Sequence, residues 1–249
     1  MIDELAALPT MAPAPRPHLS MMSMPVPGPD GEPVVLWCDP LTGLIAYPSF
    51  ANYLTEQLPQ LVPAPVHLAI GDVDDLKEYV SQRRAEDPTC FGHLAGNACM
   101  QALGSATRQW AERTFSTWPF ALCGTFGGDE VIIAAAGRGY DEFVADIHRL
   151  IEEIRQSVPR TCSFSTGTLT VRHINPGDQE QTYRHFVSQV DAALFLRKAV
   201  LRQADISPRG DFADIGAVTF DPAPARPPGA PGGARQAADS AVDQAGVGV

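Results

Sequence analysis

The sequence predicts an α/β sandwich, in which helices flank a mostly antiparallel central sheet. The first observation is that short apolar runs of strand length alternate with long segments whose apolar residues recur every three or four positions. The second is the pair Gly127-Gly128, which lies between two apolar runs, residues 120–123 and 131–134. Two glycines at such a place are typical of a tight hairpin between antiparallel strands, because glycine tolerates positive φ.

The first half of the chain predicts a helix, a buried strand and a short third element. Residues 48–60 place an apolar side chain at every fourth position from Phe50 to Leu58, which indicates one buried helix face. The run 66–70 is almost continuously apolar and predicts a buried strand. Residues 74–80 are expected to form a short helix or turn.

Three long helices are predicted in the rest of the chain. Apolar residues recur at spacings of three and four in residues 93–115, 140–158 and 183–203. A strand of alternating character is expected over residues 162–171, and an edge strand over residues 215–220.

The distribution of proline divides the chain into one globular body and two arms. Of the 23 prolines, eight fall in the first 33 residues and five in the last 29. Such segments lack the apolar content that would offset the entropy of ordering them. We therefore expect a disordered N-terminal arm (1–33), a single domain (34–220) and a disordered tail (221–249).

The charge and the cysteines limit the functions to be considered. A net charge of −11 argues against non-specific binding to nucleic acid or to an anionic membrane. No apolar run has the length of a membrane span, and the acidic N-terminus does not resemble a signal peptide. The five cysteines are odd in number and lack metal-ligand spacing. These features lead us to expect a cytoplasmic protein.

Two acidic pairs follow predicted strands that a single sheet would bring side by side. Asp72 and Asp74 come after the buried strand, and Asp129 and Glu130 follow the glycine pair. Adjacent carboxylates at such an edge suggest a divalent cation that also contacts a phosphate. The alternative interpretation is a solvated acidic sheet edge with no ligand.

A basic pair supports the phosphate interpretation. Lys198 and Arg202 are four residues apart and so share one helix face, from which they could hold phosphate groups. Such pairs are also common on solvated helices. Lys77 lies three residues after Asp74 and is open to the same two interpretations.

In their order along the chain, five motifs resemble those of the GGDEF domain, the catalytic domain of diguanylate cyclases. Residues 39–44 match Asp-x-Leu-Thr-Gly-Leu, and residues 69–77 resemble the strand that leads into Asp-Ile-Asp-x-Phe-Lys. Residues 92–97 match Gly-His-x-x-Gly-Asp except at the last position, and residues 126–131 contain the signature Gly-Gly-Asp-Glu. Residues 191–202 resemble Asp-x-Ala-Leu-Tyr-x-Ala-Lys followed by a basic residue. The implied fold is related to the polymerase palm and to the class III adenylyl cyclases.

The resemblance implies a metal site with two Mg²⁺ or Mn²⁺ ions. Asp72 and Asp129 would be carboxylate ligands, and Val73 would contribute its backbone carbonyl. Glu130 would be a further metal ligand or would help to activate the attacking 3′-hydroxyl.

The resemblance also implies a nucleotide site and a reaction. Gly127 and Gly128 would let the hairpin backbone approach the nucleotide, and Lys77, Lys198 and Arg202 would hold the triphosphate. Each domain of a homodimer would bind one GTP, and two GTP would give cyclic di-GMP plus pyrophosphate.

The positions that read the base depart from the family pattern. The family reads guanine with an Asn and an Asp, and Val80 and Asn97 stand at those positions here. Valine cannot hydrogen-bond a base edge, so the base accepted, guanine or adenine, stays open and ATP is a second candidate substrate. The connection over residues 82–91 is also longer than in the family.

These departures keep a second class of function open. A catalytically degenerate domain would bind a nucleotide or an unknown regulatory protein and carry out no chemistry. Such a module, if it only bound a protein, would not be stabilised by GTP or ATP with magnesium.

Overall fold

The computed structural model describes residues 23–27, 32–87, 89 and 92–219, which form eight strands and five α-helices. The strands are β1 (Ser23–Pro27), β2 (Pro33–Trp37), β3 (Ile45–Ala46), β4 (Val66–Val73), β5 (Phe120–Thr125), β6 (Glu130–Ala136), β7 (Cys162–Leu169) and β8 (Phe212–Val218). The helices are α1 (Tyr47–Leu61), α2 (Leu76–Glu86), α3 (Gly92–Thr114), α4 (Tyr140–Ser157) and α5 (Gln179–Gln203).

Six strands form one sheet in the order β3-β5-β6-β4-β7-β8. The central pairs β5–β6, β6–β4 and β4–β7 are antiparallel, whereas the edge strands β3 and β8 run parallel to their neighbours. The predicted mostly antiparallel sheet is therefore confirmed.

Two apolar layers cover the sheet because successive side chains of a strand point to opposite faces. On β4, Leu68 and Ile70 pack in the layer that contains residues of α1 and α5. Ala69 and Val73 pack in the layer that contains residues of α3 and α4. The predicted sandwich is thus confirmed. The end of β4 that contains Asp72 lies between the two layers.

Two elements differ from the sequence prediction. Helix α2 extends to Glu86 and buries none of its residues, so much of the predicted long connection over 82–91 is helical. Strand β7 was predicted to alternate, but all eight of its residues are buried. It lies between β4 and β8 with a helix layer on either side, so its serines and threonines are as enclosed as its apolar residues.

The predicted arms lie mostly outside the described residues. Within the predicted N-terminal arm, Ser23–Pro27 is nevertheless a strand that pairs antiparallel with Pro33–Trp37. Its prolines are compatible with an edge strand, where a missing N–H breaks no ladder. No helix in the described part of the chain is long and apolar enough to span a membrane.

Candidate functional site

The hairpin between β5 and β6 forms one wall of the site. The hydroxyl oxygen of Thr125 accepts hydrogen bonds from the backbone N–H groups of Gly127 and Gly128, at 3.2 and 3.0 Å. Only Gly128 of the two glycines has a positive φ, of 81°, and a Cβ there would collide with Met100. Gly127 has nothing within 4 Å of where its Cβ would stand, so its backbone faces open space.

The register of the sheet brings the predicted carboxylates together. Asp72, near the end of β4, lies directly opposite Glu130, the first residue of β6. The backbone N–H of Val73 donates a hydrogen bond of 3.0 Å to the carbonyl of Asp129. The two acidic pairs therefore meet at one edge of the sheet, as the sequence predicts.

Lys198 of α5 reaches this edge and is buried there, with only 5% of its surface exposed. Its ammonium donates hydrogen bonds to the backbone carbonyl of Asp72, at 2.8 Å, and to Oδ1 of the same residue. It also forms an ion pair with Oδ1 of Asp74 at 3.1 Å. One ammonium thus contacts three oxygens, two through hydrogen bonds to Asp72 and one through an ion pair with Asp74.

The charges of the site act strongly on one another. Burial raises the pKa of Asp72, an effect that Lys198 opposes and the charge of Asp129 reinforces. Burial raises the pKa of Glu130 too, and the charges of Asp72 and Asp129 add to the rise. Burial alone would lower the pKa of Lys198, but its carboxylate partners raise it above the ordinary value, so the side chain stays an ammonium.

The donor set suits a hard cation such as Mg²⁺, which prefers carboxylate and carbonyl oxygens. The carboxylates of Asp72 and Asp129 are close enough to Glu130 for their charges to raise its pKa. Oδ1 of Asp74 is buried and accepts no hydrogen bond from the described residues. In this conformation, no three His, Cys, Asp or Glu side chains of the described residues are arranged around a metal position. The cation that Asp72 and Asp74 meet is Lys198.

Asp74 is a part of the site to which the sequence analysis gave no separate role. It is 1% exposed, and its Oδ2 accepts hydrogen bonds from the Thr161 hydroxyl at 2.8 Å and the Gly210 N–H at 2.9 Å. It therefore ties the end of β4 to the start of β7 and to the loop before β8. The feature of the sequence that could have indicated a role for Asp74 is its position two residues after Asp72.

The other predicted phosphate ligands are exposed. Lys77 lies in the first turn of α2 and Arg202 in the last turn of α5. Neither forms an ion pair with another described residue. The shared helix face predicted for Lys198 and Arg202 therefore contains one buried and one exposed cation.

The two predicted base-reading positions lie on neighbouring helices. Val80 of α2 is half-buried, and its Cγ2 lies 3.7 Å from the position that a Cβ of Gly96 would occupy. Asn97 of α3 follows Gly96 and is exposed. The apolar side chain of Val80 therefore lies beside the part of α3 that contains Asn97.

An open cleft of about 330 Å³ adjoins Glu130 on the side of α1 and α5. Its aromatic part is formed by Tyr47 and Phe126, whose rings stack with centroids 4.3 Å apart. Arg184 and Asp191 contribute opposite charges to its lining. Sequence reasoning did not find this cleft, because its residues come from three separate segments.

No family model and no curated protein matches the sequence, but solved structures match the fold. The GGDEF domain of DgcB from Caulobacter crescentus, in complex with c-di-GMP, is 16% identical with a TM-score of 0.51, over 71% of this chain and 94% of that chain. The GGDEF domain of TpbB (YfiN) from Pseudomonas aeruginosa is 17% identical with a TM-score of 0.52, over 71% and 93%. The diguanylate cyclase SiaD from the same organism, in complex with its activator SiaC, is 20% identical with a TM-score of 0.51, over 74% and 61%. The protein has the fold of GGDEF domains, as its motifs predict.

Proposed function

We propose that the protein is a divergent member of the GGDEF family with diguanylate-cyclase-like activity. It joins two GTP into cyclic di-GMP and releases one pyrophosphate for each new bond. The observation that carries the proposal is the strand register that sets Asp72 directly opposite Glu130 at one sheet edge, beside the glycine hairpin.

Each transfer step needs a deprotonated hydroxyl and a polarised phosphate. The 3′-oxygen of one nucleotide attacks the α-phosphorus of the other, and the bond from that phosphorus to the pyrophosphate oxygen breaks. Glu130 helps to remove the hydroxyl proton, either as the base that takes it or as a ligand of the ion that activates the hydroxyl. Divalent ions bound by Asp72, Asp129 and Glu130 would stabilise the charge that develops on the phosphate oxygens.

The remaining residues bind and orient the nucleotide. Gly127 faces open space and lets the backbone approach the phosphates. Lys77, Lys198 and Arg202 supply positive charge for the triphosphate. The active unit is a homodimer, because each bound nucleotide must present its 3′-hydroxyl to the other.

Base choice is the part of the proposal that departs from the family pattern. Val80 offers no hydrogen bond, and Asn97 presents an amide in place of a carboxylate. A site without the guanine-specific acceptors discriminates less between bases, so ATP is accepted alongside GTP.

A non-catalytic binding module is the second candidate function. Two observations favour it: the altered base positions, and the ion pairs of Lys198 with carboxylates that would have to bind metal. The complex of SiaD with its activator SiaC illustrates a regulatory protein partner for this fold.

The release of pyrophosphate on mixing with Mg²⁺ and GTP or ATP tests the proposal. A cyclase releases pyrophosphate at a rate that rises more than linearly with protein concentration, because two protomers must meet. Orthophosphate alone would indicate a triphosphatase. No release from either nucleotide, at concentrations that populate a dimer, would favour the binding module.

A further inference from the structure

The ammonium of Lys198 occupies the position beside Asp72 at which a metal ion would bind. Its ammonium contacts Asp72 through both the backbone carbonyl and Oδ1, and it reaches Oδ1 of Asp74. A metal ion that takes the same carboxylate oxygen of Asp72 must displace this ammonium. The two cations also repel each other, so they cannot share the position.

We propose that Lys198 acts as an internal cation that closes the site to free metal and admits Mg²⁺ only together with a polyphosphate. This inference rests on the proposed function, because it concerns the same site. It makes Lys198 a specificity-determining residue, which selects the metal–triphosphate complex over either component.

The selection follows from what Lys198 would gain or lose on leaving Asp72. A buried ammonium that loses Asp72 keeps only one of its two carboxylate partners, Asp74, which is unfavourable. Free Mg²⁺ offers no replacement partner, so it binds only the small population in which Lys198 has withdrawn. A triphosphate brings anionic oxygens that can accept the released N–H groups. It also supplies ligands that Mg²⁺ commonly takes from substrate phosphates.

Asp74 can hold Lys198 close to the site while a metal ion replaces the ammonium on Asp72. Its Oδ2 is anchored by Thr161 and Gly210, while Oδ1 faces Lys198 and accepts no hydrogen bond from the described residues. Asp74 can therefore keep the ammonium near the site when the metal takes Asp72. Lys198 would then meet the phosphates while it remains paired with Asp74.

The test measures two affinities in the same proteins. The first is for Mn²⁺ alone, followed by electron paramagnetic resonance, and the second is for preformed Mg²⁺–tripolyphosphate, followed by calorimetry. Lys198→Met should bind Mn²⁺ alone about tenfold more tightly than the wild type and Mg²⁺–tripolyphosphate about tenfold more weakly. A lysine that only bound phosphate would leave the first affinity unchanged, which would overturn the inference.

Arg197→Met is the matched control, because Arg197 is the neighbouring cation on α5 but pairs with Asp211. It should change neither affinity by more than about twofold. If Lys198→Met does not fold, the two affinities of the wild-type protein are compared with each other. The wild type should bind Mg²⁺–tripolyphosphate and should bind Mn²⁺ alone at least about tenfold more weakly.

Failure of the inference differs from failure of the proposed function. If the wild type binds Mn²⁺ alone as tightly as the complex, the inference is overturned and the proposed function stands. If the wild type does not bind Mg²⁺–tripolyphosphate but releases pyrophosphate from GTP or ATP, the inference alone is overturned. If it does neither, both are overturned.

Discussion

Asp72 and Glu130 are register partners on the antiparallel strands β4 and β6, so their carboxylates stand on the same face of the sheet at its edge. Like charges in this arrangement destabilise a sheet, and the raised pKa of Glu130 reflects that repulsion together with burial. The pairing of the two carboxylates becomes favourable when one cation binds both groups. This relationship is the physical basis of the proposed function.

Glu130→Gln should separate stability from activity. The substitution keeps the shape of the side chain and removes one of the facing charges, so the free energy of unfolding should rise by up to about 1 kcal/mol. Pyrophosphate release should fall to background. Glu112→Gln, at an exposed position of α3, should change neither quantity. Lower stability of Glu130→Gln in chemical denaturation would contradict the repulsion described here.

The two glycines of the hairpin should respond differently to alanine. Gly128→Ala should lower the free energy of unfolding by about 1–2 kcal/mol, because its φ is positive and the new Cβ would meet Met100. Gly127→Ala should leave stability within about 0.5 kcal/mol of the wild type. It should still weaken binding of Mg²⁺–GTP, because the added methyl group occupies the space that the backbone leaves open. Equal effects of the two substitutions on stability and binding would count against this role of Gly127.

Restoring the family residues at the base-reading positions should narrow the choice of nucleotide. The double variant Val80→Asn with Asn97→Asp should raise the preference for GTP over ATP about tenfold or more, measured as the ratio of the two affinities. Gln101→Glu makes the same amide-to-acid change one turn further along α3 at an exposed position, and it should leave the ratio unchanged. An unchanged ratio in the double variant would mean that the base is bound elsewhere.

A buried histidine should make stability fall in mild acid. Nε2 of His67 donates to the Arg138 carbonyl and Nδ1 accepts from the Thr168 hydroxyl, both at 2.9 Å. Burial lowers the pKa of His67 below its unfolded value of about 6.5, so the unfolded state binds the proton more readily. The stabilisation is therefore present above about pH 6.5 and is lost as the pH falls through the lower folded pKa.

Denaturant melts between about pH 7.5 and 5.5 measure this effect. His67→Gln should flatten the pH dependence, whereas His173→Gln, at an exposed position, should not. If the wild type and His67→Gln lose stability in parallel, His67 is not the titrating group.

Local patterns predicted the fold and the two acidic pairs because these depend on residues that are close in sequence. The hairpin signature placed Asp129 and Glu130 at a sheet edge, and β4 ends at Val73, directly after Asp72. The register of β4 against β6 brings these pairs together. An apolar pattern indicates which face of a strand is buried, but it does not specify which residue of β6 lies opposite Asp72.

The contacts of Lys198 were beyond sequence reasoning for a different reason. Lys198 and Asp72 are 126 residues apart, and helical spacing predicts only that Lys198 shares a face with Arg202. Whether a lysine on that face is buried depends on how α5 packs against β4, which is a property of the tertiary structure. The cleft lined by Tyr47, Phe126 and Asp191 escaped prediction in the same way.

The identity of the product is the most direct test of the central claim, that this sheet edge catalyses nucleotidyl transfer. Purified protein at high concentration is incubated with Mg²⁺ and GTP, ATP or both, and the products are analysed by mass spectrometry beside the variant Glu130→Ala. We expect a cyclic dinucleotide from the wild type and none from the variant. A wild type that yields no cyclic dinucleotide from any mixture, while binding Mg²⁺–GTP, would contradict it.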